Sequence, residues 1–139
     1  MKEKSEFYTL TGYKLKQCNI LTEAMEDYLE MVHRLATENV TITIKELAQR
    51  LNVQPPSVSK MCHKLSALEF LKFEKYGTIT LTEKGLQTGS YLLWRHQLLE
   101  TLLKQINQDD FSLEQVEKIE HFVDLTTLKN LEKFLHQRK

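Results

Sequence analysis

The sequence predicts a mostly α-helical fold with a small β-wing: a winged helix-turn-helix domain followed by a second, helical domain. One short helical pattern is broken at Asn52 and Val53, and a second begins almost at once, at Pro55, which is typical of a helix-turn-helix. Two strand-like runs follow and are joined through Tyr76 and Gly77, as expected for a hairpin wing. With 139 residues, 41% of them hydrophobic, the chain can bury the core of one compact unit with an extension.

The first predicted helix begins after Thr22 and runs to about Glu38. A threonine at this position can accept hydrogen bonds from the free N–H groups of the first turn. Asp27 and Glu30 lie one turn apart, so their carboxylates project from the same edge of the helix, which is ordinarily a solvated face. The apolar residues recur at helical spacing and form its buried stripe: Met25, Tyr28, Leu29, Val32 and Leu35.

The helix-turn-helix consists of a helix over residues 45–52 and a second helix that begins at Pro55 and Pro56. Proline suits the first turn of a helix, where a missing N–H costs nothing. Behind the prolines, Val58, Met61, Cys62 and Leu65 repeat at helical spacing and face the core. The opposite face carries residues that are short or cationic enough to meet base edges and phosphates in a major groove: Gln54, Pro56, Ser57, Ser59, Lys60, His63 and Lys64.

The wing is predicted from strands over residues 71–75 and 78–81, with Lys75 and Tyr76 at its tip. Residues 45–84 contain seven Lys and Arg against four Glu, a net charge of +3 in a chain whose formal net charge is zero. This local basic excess favours DNA as the partner of the recognition helix and the wing. A plain protein-binding module with a solvated Ser/Lys face is the alternative.

A long helix is predicted from Thr82, followed by a polar loop and an acidic helix from Leu113 to about Val123, for which Ser112 and Gln115 form a capping box. A final amphipathic helix covers residues 127–136. The long and final helices carry apolar stripes that either pack on each other or contribute to a homodimer interface: Leu98, Leu102, Ile106, Leu128, Leu131 and Leu135.

The acidic helix places Glu117, Glu120 and His121 at i, i+3 and i+4, a spacing that helical di-metal sites use but that also occurs by chance. A lone histidine such as His96 is more often a surface or core residue than a ligand. The combination is more specific, because four carboxylates and two imidazoles without a thiolate suit a divalent ion such as manganese or iron. The candidate ligands are Asp27, Glu30, His96, Glu117, Glu120 and His121.

Several runs, in order and spacing from about Leu21 to the C-terminus, resemble the diphtheria toxin repressor family, and within it the manganese transport regulator branch. The resemblance is carried by Ala24-Met25-Glu26-Asp27-Tyr28-Leu29-Glu30, Pro56-Ser57-Val58-Ser59-Lys60-Met61, Glu74-Lys75-Tyr76-Gly77, Leu81-Thr82-Glu83-Lys84-Gly85, Arg95-His96 and Ile119-Glu120-His121. It implies a winged-helix domain and a helical dimerisation domain without the additional SH3-like domain of the iron-dependent members. The divisions expected are an N-terminal extension at 1–20, the DNA-binding domain at 21–85 and the metal-binding and dimerisation domain at 86–139.

Carried over residue by residue, the resemblance makes the six candidate ligands a paired metal site that takes two Mn2+ per chain. Iron-responsive relatives have Met at the position of Asp27 and Cys at that of Glu120, so the oxygen donors here favour manganese. Fe2+, Co2+ or Zn2+ could also bind, because manganese is at the weak end of the affinity series. The implied function is a metal-dependent repressor of metal-uptake genes that binds a palindromic operator as a homodimer.

Two short stretches depart from the family pattern. Many relatives have Pro-Ser-Ser where this chain has Pro55-Pro56-Ser57, and a second His followed by Leu-Ser where it has Phe122-Val123-Asp124. The first departure bears on which operator is read, and the second leaves the six ligands intact.

Three other classes of protein are alternatives to a manganese-dependent repressor. A winged-helix regulator could respond to another metal or to a small organic ligand, but the latter has no need of six such donors. A di-metal enzyme is disfavoured because no separate nucleophile or Gly-rich loop accompanies the donors, and an interaction module is the third class. No apolar run is long enough to span a membrane, no signal peptide is apparent, and Cys18 and Cys62 are isolated, so a cytoplasmic protein with reduced thiols is expected.

Overall fold

The computed structural model describes residues 21–138, which form six α-helices, one two-stranded antiparallel sheet and three 3₁₀ turns. The mostly helical fold with a small wing is confirmed. The predicted N-terminal extension, 1–20, lies outside the described residues. The elements are α1 (Glu23–Thr37), α2 (Ile44–Leu51), α3 (Pro55–Ala67), β1 (Leu71–Phe73), β2 (Ile79–Leu81), α4 (Glu83–Asn107), α5 (Leu113–Ile119) and α6 (Leu125–Gln137).

The boundaries of the first three helices follow local capping chemistry. Thr22 Oγ1 accepts a hydrogen bond from the Met25 N–H at 3.2 Å, as its position in the sequence predicted. Thr43 caps α2 in the same way, and α2 ends at Asn52, which adopts the left-handed conformation with φ of 56°. Asparagine tolerates this conformation better than most residues. The short turn it creates leads directly into the proline-started helix α3.

The wing is shorter than the sequence predicted. Leu71 pairs with Leu81 and Phe73 with Ile79, while Lys75–Gly77 form a 3₁₀ turn. Tyr76 and Gly77 both have positive φ, at 64° and 76°. Two consecutive residues in this region bend the chain back within the turn and leave no extended backbone there to continue the ladder.

Residues 21–138 form two apolar cores, which α4 connects. The first is enclosed by α1, α2, α3 and the wing, and includes Leu29, Leu47 and Leu65, all fully buried. The second lies between α4, α5 and α6. Tyr91, on α4, packs against both cores. A single continuous helix therefore fixes the winged unit relative to the C-terminal helices.

The sequence left two roles for the apolar stripes of the long and final helices: packing within one chain or forming a dimer interface. The second core contains much of these stripes. Leu98, Leu128 and Leu135 are buried within the chain, so for them internal packing is the correct interpretation. Ile106 is 64% exposed and remains available to a partner. Further large apolar side chains on the C-terminal helices are also exposed: Leu113, Phe122, Leu125 and Phe134.

The acidic helix differs from its prediction at both ends. Within the described part of the chain, the Ser112 side chain makes no capping hydrogen bond, so the predicted capping box is wrong. Helix α5 stops at Ile119, and Glu120–Phe122 continue as a 3₁₀ turn. A 3₁₀ turn is more tightly wound than an α-helix, so it changes the directions of the side chains that follow Ile119.

Among residues 21–138, no helix combines the length and apolar character that crossing a bilayer requires.

Candidate metal centre

The candidate metal centre lies where α1, α4 and the end of α5 meet. Helix α4 approaches α1 closely at Gly89, where an added Cβ would lie 2.8 to 2.9 Å from the His33 side chain. Ser90 Oγ and His33 Nε2 are 3.2 Å apart at the same crossing. The absence of a side chain at Gly89 thus allows the acidic edge of α1 to lie beside the middle of α4.

One group of donors surrounds the His96 ring, and we call Glu30, His96, Glu117 and Glu120 the His96 cluster. His96 Nδ1 lies 2.9 Å from Glu120 Oε2, 3.6 Å from Glu30 Oε1 and 3.6 Å from Glu117 Oε1. Glu30, His96 and Glu120 are buried, whereas the Glu117 side chain is 45% exposed. The cluster is therefore closed on the protein side and open to solvent past Glu117.

A second group, Asp27, Glu120 and His121, is called the His121 cluster. His121 Nε2 lies 3.1 Å from Asp27 Oδ1. In each cluster, one donor atom from every member lies within 4.8 Å of the others, and Glu120 belongs to both. The structure thus gathers all six predicted ligands into two adjacent groups that share one buried carboxylate.

The chemistry of these clusters fits a divalent cation. Glu120 is fully buried, and its Oε1 has no hydrogen-bond partner among the described residues. Leaving a carboxylate oxygen buried and unpaired is costly, and a coordinated cation would remove that cost. Oxygen and imidazole donors without sulfur are those that manganese and iron accept. The residues present therefore match the metal predicted from the sequence.

The carboxylates of the His96 cluster perturb one another. Burial, together with the Glu120 charge, raises the pKa of Glu30 to about 7, and burial raises the pKa of Glu117 in the same direction. Burial also opposes ionisation of Glu120, but its hydrogen bond and ion pair with His96 outweigh that effect and lower its pKa. The hydrogen bond to Glu120 raises the pKa of His96. Binding of a divalent cation at this cluster must therefore displace protons.

Two residues outside the predicted ligand set contact the His121 cluster. Glu26 Oε1 lies 2.7 Å from His121 Nδ1, and the Arg95 guanidinium donates to both oxygens of Glu26, at 3.2 and 3.3 Å. Hydrogen bonds to Asp27 and Glu26 raise the pKa of His121 to about 10. Arg95 is buried. Its position beside His96, at helical spacing from the buried Leu92, Leu98 and Leu99, could have indicated from sequence that an acidic partner faces it.

The spacing argument for Glu117, Glu120 and His121 assumed one continuous helix, and the structure modifies it. Because α5 ends at Ile119, Glu120 and His121 lie in the 3₁₀ turn. Glu117 and Glu120 are directed at His96, whereas His121 is directed at α1. The three side chains are close together, but they divide between two clusters rather than forming one.

The predicted DNA-facing residues lie on one side of α3 and at the wing tip. Ser59 is half-buried, and the others are exposed: Gln54, Pro56, Ser57, Lys60, His63, Lys64, Lys75 and Tyr76. His63 also has an internal role, because its ring stacks on Phe73 of β1 with centroids 4.7 Å apart and its Nδ1 lies 2.7 Å from Ser59 O. His63 thus links the recognition helix to the wing.

Comparison with known proteins assigns both halves of the chain. Residues 20–79 match the model of the iron dependent repressor N-terminal DNA binding domain, and residues 82–139 match that of the iron dependent repressor metal binding and dimerisation domain. The HTH-type transcriptional regulator MntR of Shouchella clausii is 41% identical over 103 residues, which are 73% of this chain and 72% of that protein. MntR of Bacillus subtilis is 38% identical over 111 residues, covering 79% and 78%.

Solved structures share the fold. The manganese regulator SloR is 30% identical with a TM-score of 0.70, covering 84% of this chain and 55% of that one. ScaR with bound Zn2+ is 35% identical with a TM-score of 0.69, covering 81% and 53%. The chain therefore spans about half the length of these two solved proteins.

Proposed function

Because the chain belongs to the iron dependent repressor family, the diphtheria toxin repressor family indicated by its motifs, we propose that it is a manganese-responsive, DNA-binding transcriptional repressor of metal-uptake genes. The observation that carries this proposal is the pair of clusters that share Glu120 at the junction of the winged unit and the C-terminal helices. The related proteins are transcriptional regulators, so the di-metal enzyme considered from the sequence is rejected.

The two clusters would hold two Mn2+ per chain. Glu30, His96, Glu117 and Glu120 would bind one ion, and Asp27, Glu120 and His121 the other, with Glu120 contributing to both. The bound ions would supply positive charge that neutralises the crowded carboxylates. Support comes from Glu120 Oε1, which has no hydrogen-bond partner among residues 21–138, and from the likeness to the manganese regulator SloR. The related protein ScaR has been solved with bound Zn2+, so zinc is a competing effector to be tested.

The recognition helix α3 and the wing would contact double-stranded DNA. The exposed serines and lysines of α3 would lie in the major groove, and Lys75 and Tyr76 at the tip would reach the neighbouring backbone. Tyr76 is 97% exposed at the tip of the wing, so its side chain is accessible for such a contact.

The ligands come from different parts of the chain, which explains how metal occupancy could control DNA binding. Asp27 and Glu30 belong to α1, which packs in the winged unit, whereas His96 lies on α4 and the others lie at or after the end of α5. Neutralising the carboxylates would tighten the contact between these parts and fix the orientation of α3. Metal and DNA affinities would then be reciprocally coupled.

We further propose a homodimer in the cytoplasm that binds a palindromic operator, with the DNA-binding domain at 21–85 and the metal-binding and dimerisation domain at 86–139. The match of the C-terminal half to a dimerisation domain supports this arrangement, and so do the exposed apolar side chains Ile106, Leu113 and Phe134. A two-fold dimer would present two recognition helices to two half-sites.

Metal-free protein is expected to sediment as a dimer. All the proposed ligands come from one chain, so the interface does not require the ions, and interfaces of ordinary size are occupied at micromolar concentration. Analytical ultracentrifugation should give about twice the mass of 16.4 kDa. A metal-free monomer that dimerises only when Mn2+ is added would show instead that the metal acts through assembly.

Lys75→Ala is expected to weaken binding to operator and non-operator DNA alike. A lysine at the wing tip meets phosphate, so its loss should reduce the slope of log affinity against log salt by about 1. Fluorescence anisotropy at several salt concentrations measures this slope. Lys133→Ala, an exposed lysine on α6, is the matched control, and an equal effect of the two substitutions would contradict the assignment.

The function itself is tested by anisotropy with labelled operator-like DNA at fixed salt, with and without Mn2+. Tight binding only in the presence of Mn2+ is expected, and parallel titrations with Fe2+, Co2+ and Zn2+ rank the effectors. Equal DNA binding with and without each metal would reject metal control and return attention to a small organic effector.

A further inference from the structure

Glu26 and Arg95 belong to neither the His96 cluster nor the His121 cluster. Both nevertheless lie beside His121, and Glu26 contacts its ring directly. Glu26 is on the first turn of α1, and Arg95 is on α4 immediately before His96. The Arg95 side chain is 3% exposed and the Glu26 side chain 18% exposed. A buried guanidinium needs a well-placed anion, and Glu26 provides it through two hydrogen bonds.

The same carboxylate also contacts a proposed ligand. Glu26 Oε1, 3.2 Å from Arg95, is 2.7 Å from His121 Nδ1. At this distance Nδ1–H donates to the carboxylate, which leaves Nε2 as the nitrogen that faces Asp27 Oδ1 at 3.1 Å. The 3.5 Å approach of Arg95 to His121 Nδ1 is then a close contact between two donors rather than a hydrogen bond.

We infer that Glu26, held in place by Arg95, is the positioning residue that fixes the ring of His121 so that Nε2 is presented to a divalent cation in the His121 cluster. A carboxylate on the second nitrogen of a ligating histidine sets its tautomer and ring orientation and makes the imidazole a better donor. This inference rests on the proposed function, because it assigns a role toward the same metal centre.

The contacts of Glu26 with Arg95 and His121 connect the same elements of the fold that carry the proposed metal ligands. Glu26 is on α1, Arg95 on α4 and His121 on the turn after α5. These elements are therefore connected by protein groups alone. The His121 cluster is in this way assembled before a cation binds, and less ordering remains to be achieved at binding.

The Glu26 contact is specific to one cluster, which makes the inference testable. Among the described residues, the hydrogen bonds and ion pairs of the Glu26 side chain go to Arg95 and His121 and to no member of the His96 cluster. A change at Glu26 should therefore weaken one of the two binding events and spare the other.

The experiment uses the full chain and four proteins: wild type, Glu26→Ala, Glu26→Gln and the control Glu46→Gln. Glu46 lies on α2, and its ion pair is with Arg50. Each metal-free protein is titrated with Mn2+, and free Mn2+ is followed by its electron paramagnetic resonance signal. Glu26→Ala should weaken one binding event by roughly 10- to 100-fold and leave the other unchanged. Glu26→Gln keeps an acceptor oxygen, so its Mn2+ affinity at that event should lie between those of Glu26→Ala and wild type. The control Glu46→Gln should bind Mn2+ as wild type does.

A spectroscopic measurement separates positioning from general stability. In the Zn2+-loaded proteins, long-range 1H–15N correlations report which nitrogen of His121 carries a proton. Wild type and Glu26→Gln should show a protected proton on Nδ1, and Glu26→Ala should lose it by exchange with water.

Three outcomes are decisive. The expected pattern in both measurements supports the inference. In the second outcome, wild type binds Mn2+ and its DNA binding is stimulated by Mn2+, but the Glu26 variants have unchanged Mn2+ isotherms and an unchanged Nδ1 proton. This result overturns the present inference and leaves the proposed function standing. Wild type that binds no Mn2+ overturns the proposed function and this inference with it.

Discussion

Glu120→Gln is expected to abolish the stimulation of DNA binding by Mn2+. Glu120 is the one residue common to both clusters, it is fully buried, and its Oε1 is unpaired among the described residues. Glutamine has nearly the same shape but removes the negative charge and replaces one donor oxygen with an NH2 group, which repels a cation. Anisotropy with and without Mn2+ should give the same weak affinity for DNA.

The matched control for this substitution is Glu114→Gln, on the same helix α5. Glu114 is exposed and forms an ion pair with Lys118, one helical turn away, at 2.7 Å. Exposed pairs of this kind contribute little to stability. This variant should respond to Mn2+ as wild type does. If Glu120→Gln retains the full Mn2+ response, Glu120 is not a metal ligand. In that case His96→Ala tests whether the His96 cluster binds metal at all.

Gly89→Ala is expected to lower the thermal stability, which is the opposite of what this substitution does in most helices. Replacing glycine with alanine inside a helix ordinarily stabilises it by about 1 kcal/mol. Here the new methyl group would lie within 2.9 Å of the Cβ, Cγ and Cδ2 atoms of His33, and overpacking a buried contact costs about 1 to 3 kcal/mol. The clash should outweigh the helix propensity, and the midpoint of thermal unfolding should fall.

Two further variants isolate the cause. Gln87→Ala changes an exposed position of the same helix and should leave the midpoint nearly unchanged. In the double variant Gly89→Ala with His33→Ala, the contacts of the added methyl group with Cγ and Cδ2 are removed and only the contact with Cβ remains. Gly89→Ala should therefore cost less stability in the His33→Ala background than in wild type. The Gly89→Ala protein should also bind Mn2+ more weakly, because the crossing at Gly89 sets the distance between ligands on α1 and α4. A midpoint that rises would show that the two helices separate without cost.

The sequence by itself determined the helix-turn-helix and the wing, and it predicted the six donors of the candidate metal centre. Local signals are strong in these segments: Thr22 caps α1, Pro55 starts α3, and Gly77 adopts the positive φ of the turn. The six donors could be selected because their number, their chemical types and the motifs around them agreed. The clusters they form in the fold are consistent with that selection, while their assignment as ligands remains a prediction.

Only the tertiary structure decided how the donors are shared and what surrounds them. The distribution into two clusters depends on where α5 ends and on the direction that the 3₁₀ turn gives to Glu120 and His121. Helical spacing cannot specify this, because it assumes a constant rise and rotation per residue. The burial of Leu98 and Leu128 inside one chain likewise depended on the packing of α4 against α6.

The contacts of Glu26 with Arg95 and His121 are the clearest case of what sequence could not supply. These residues are 69 and 95 positions from Glu26 along the chain, and a glutamate on a helix edge has the same appearance in sequence whether it is solvated or buried. The close crossing of α1 and α4 at Gly89 brings them together. Local propensity and periodicity determine which elements form, whereas the contacts between distant side chains depend on the packing of those elements in three dimensions.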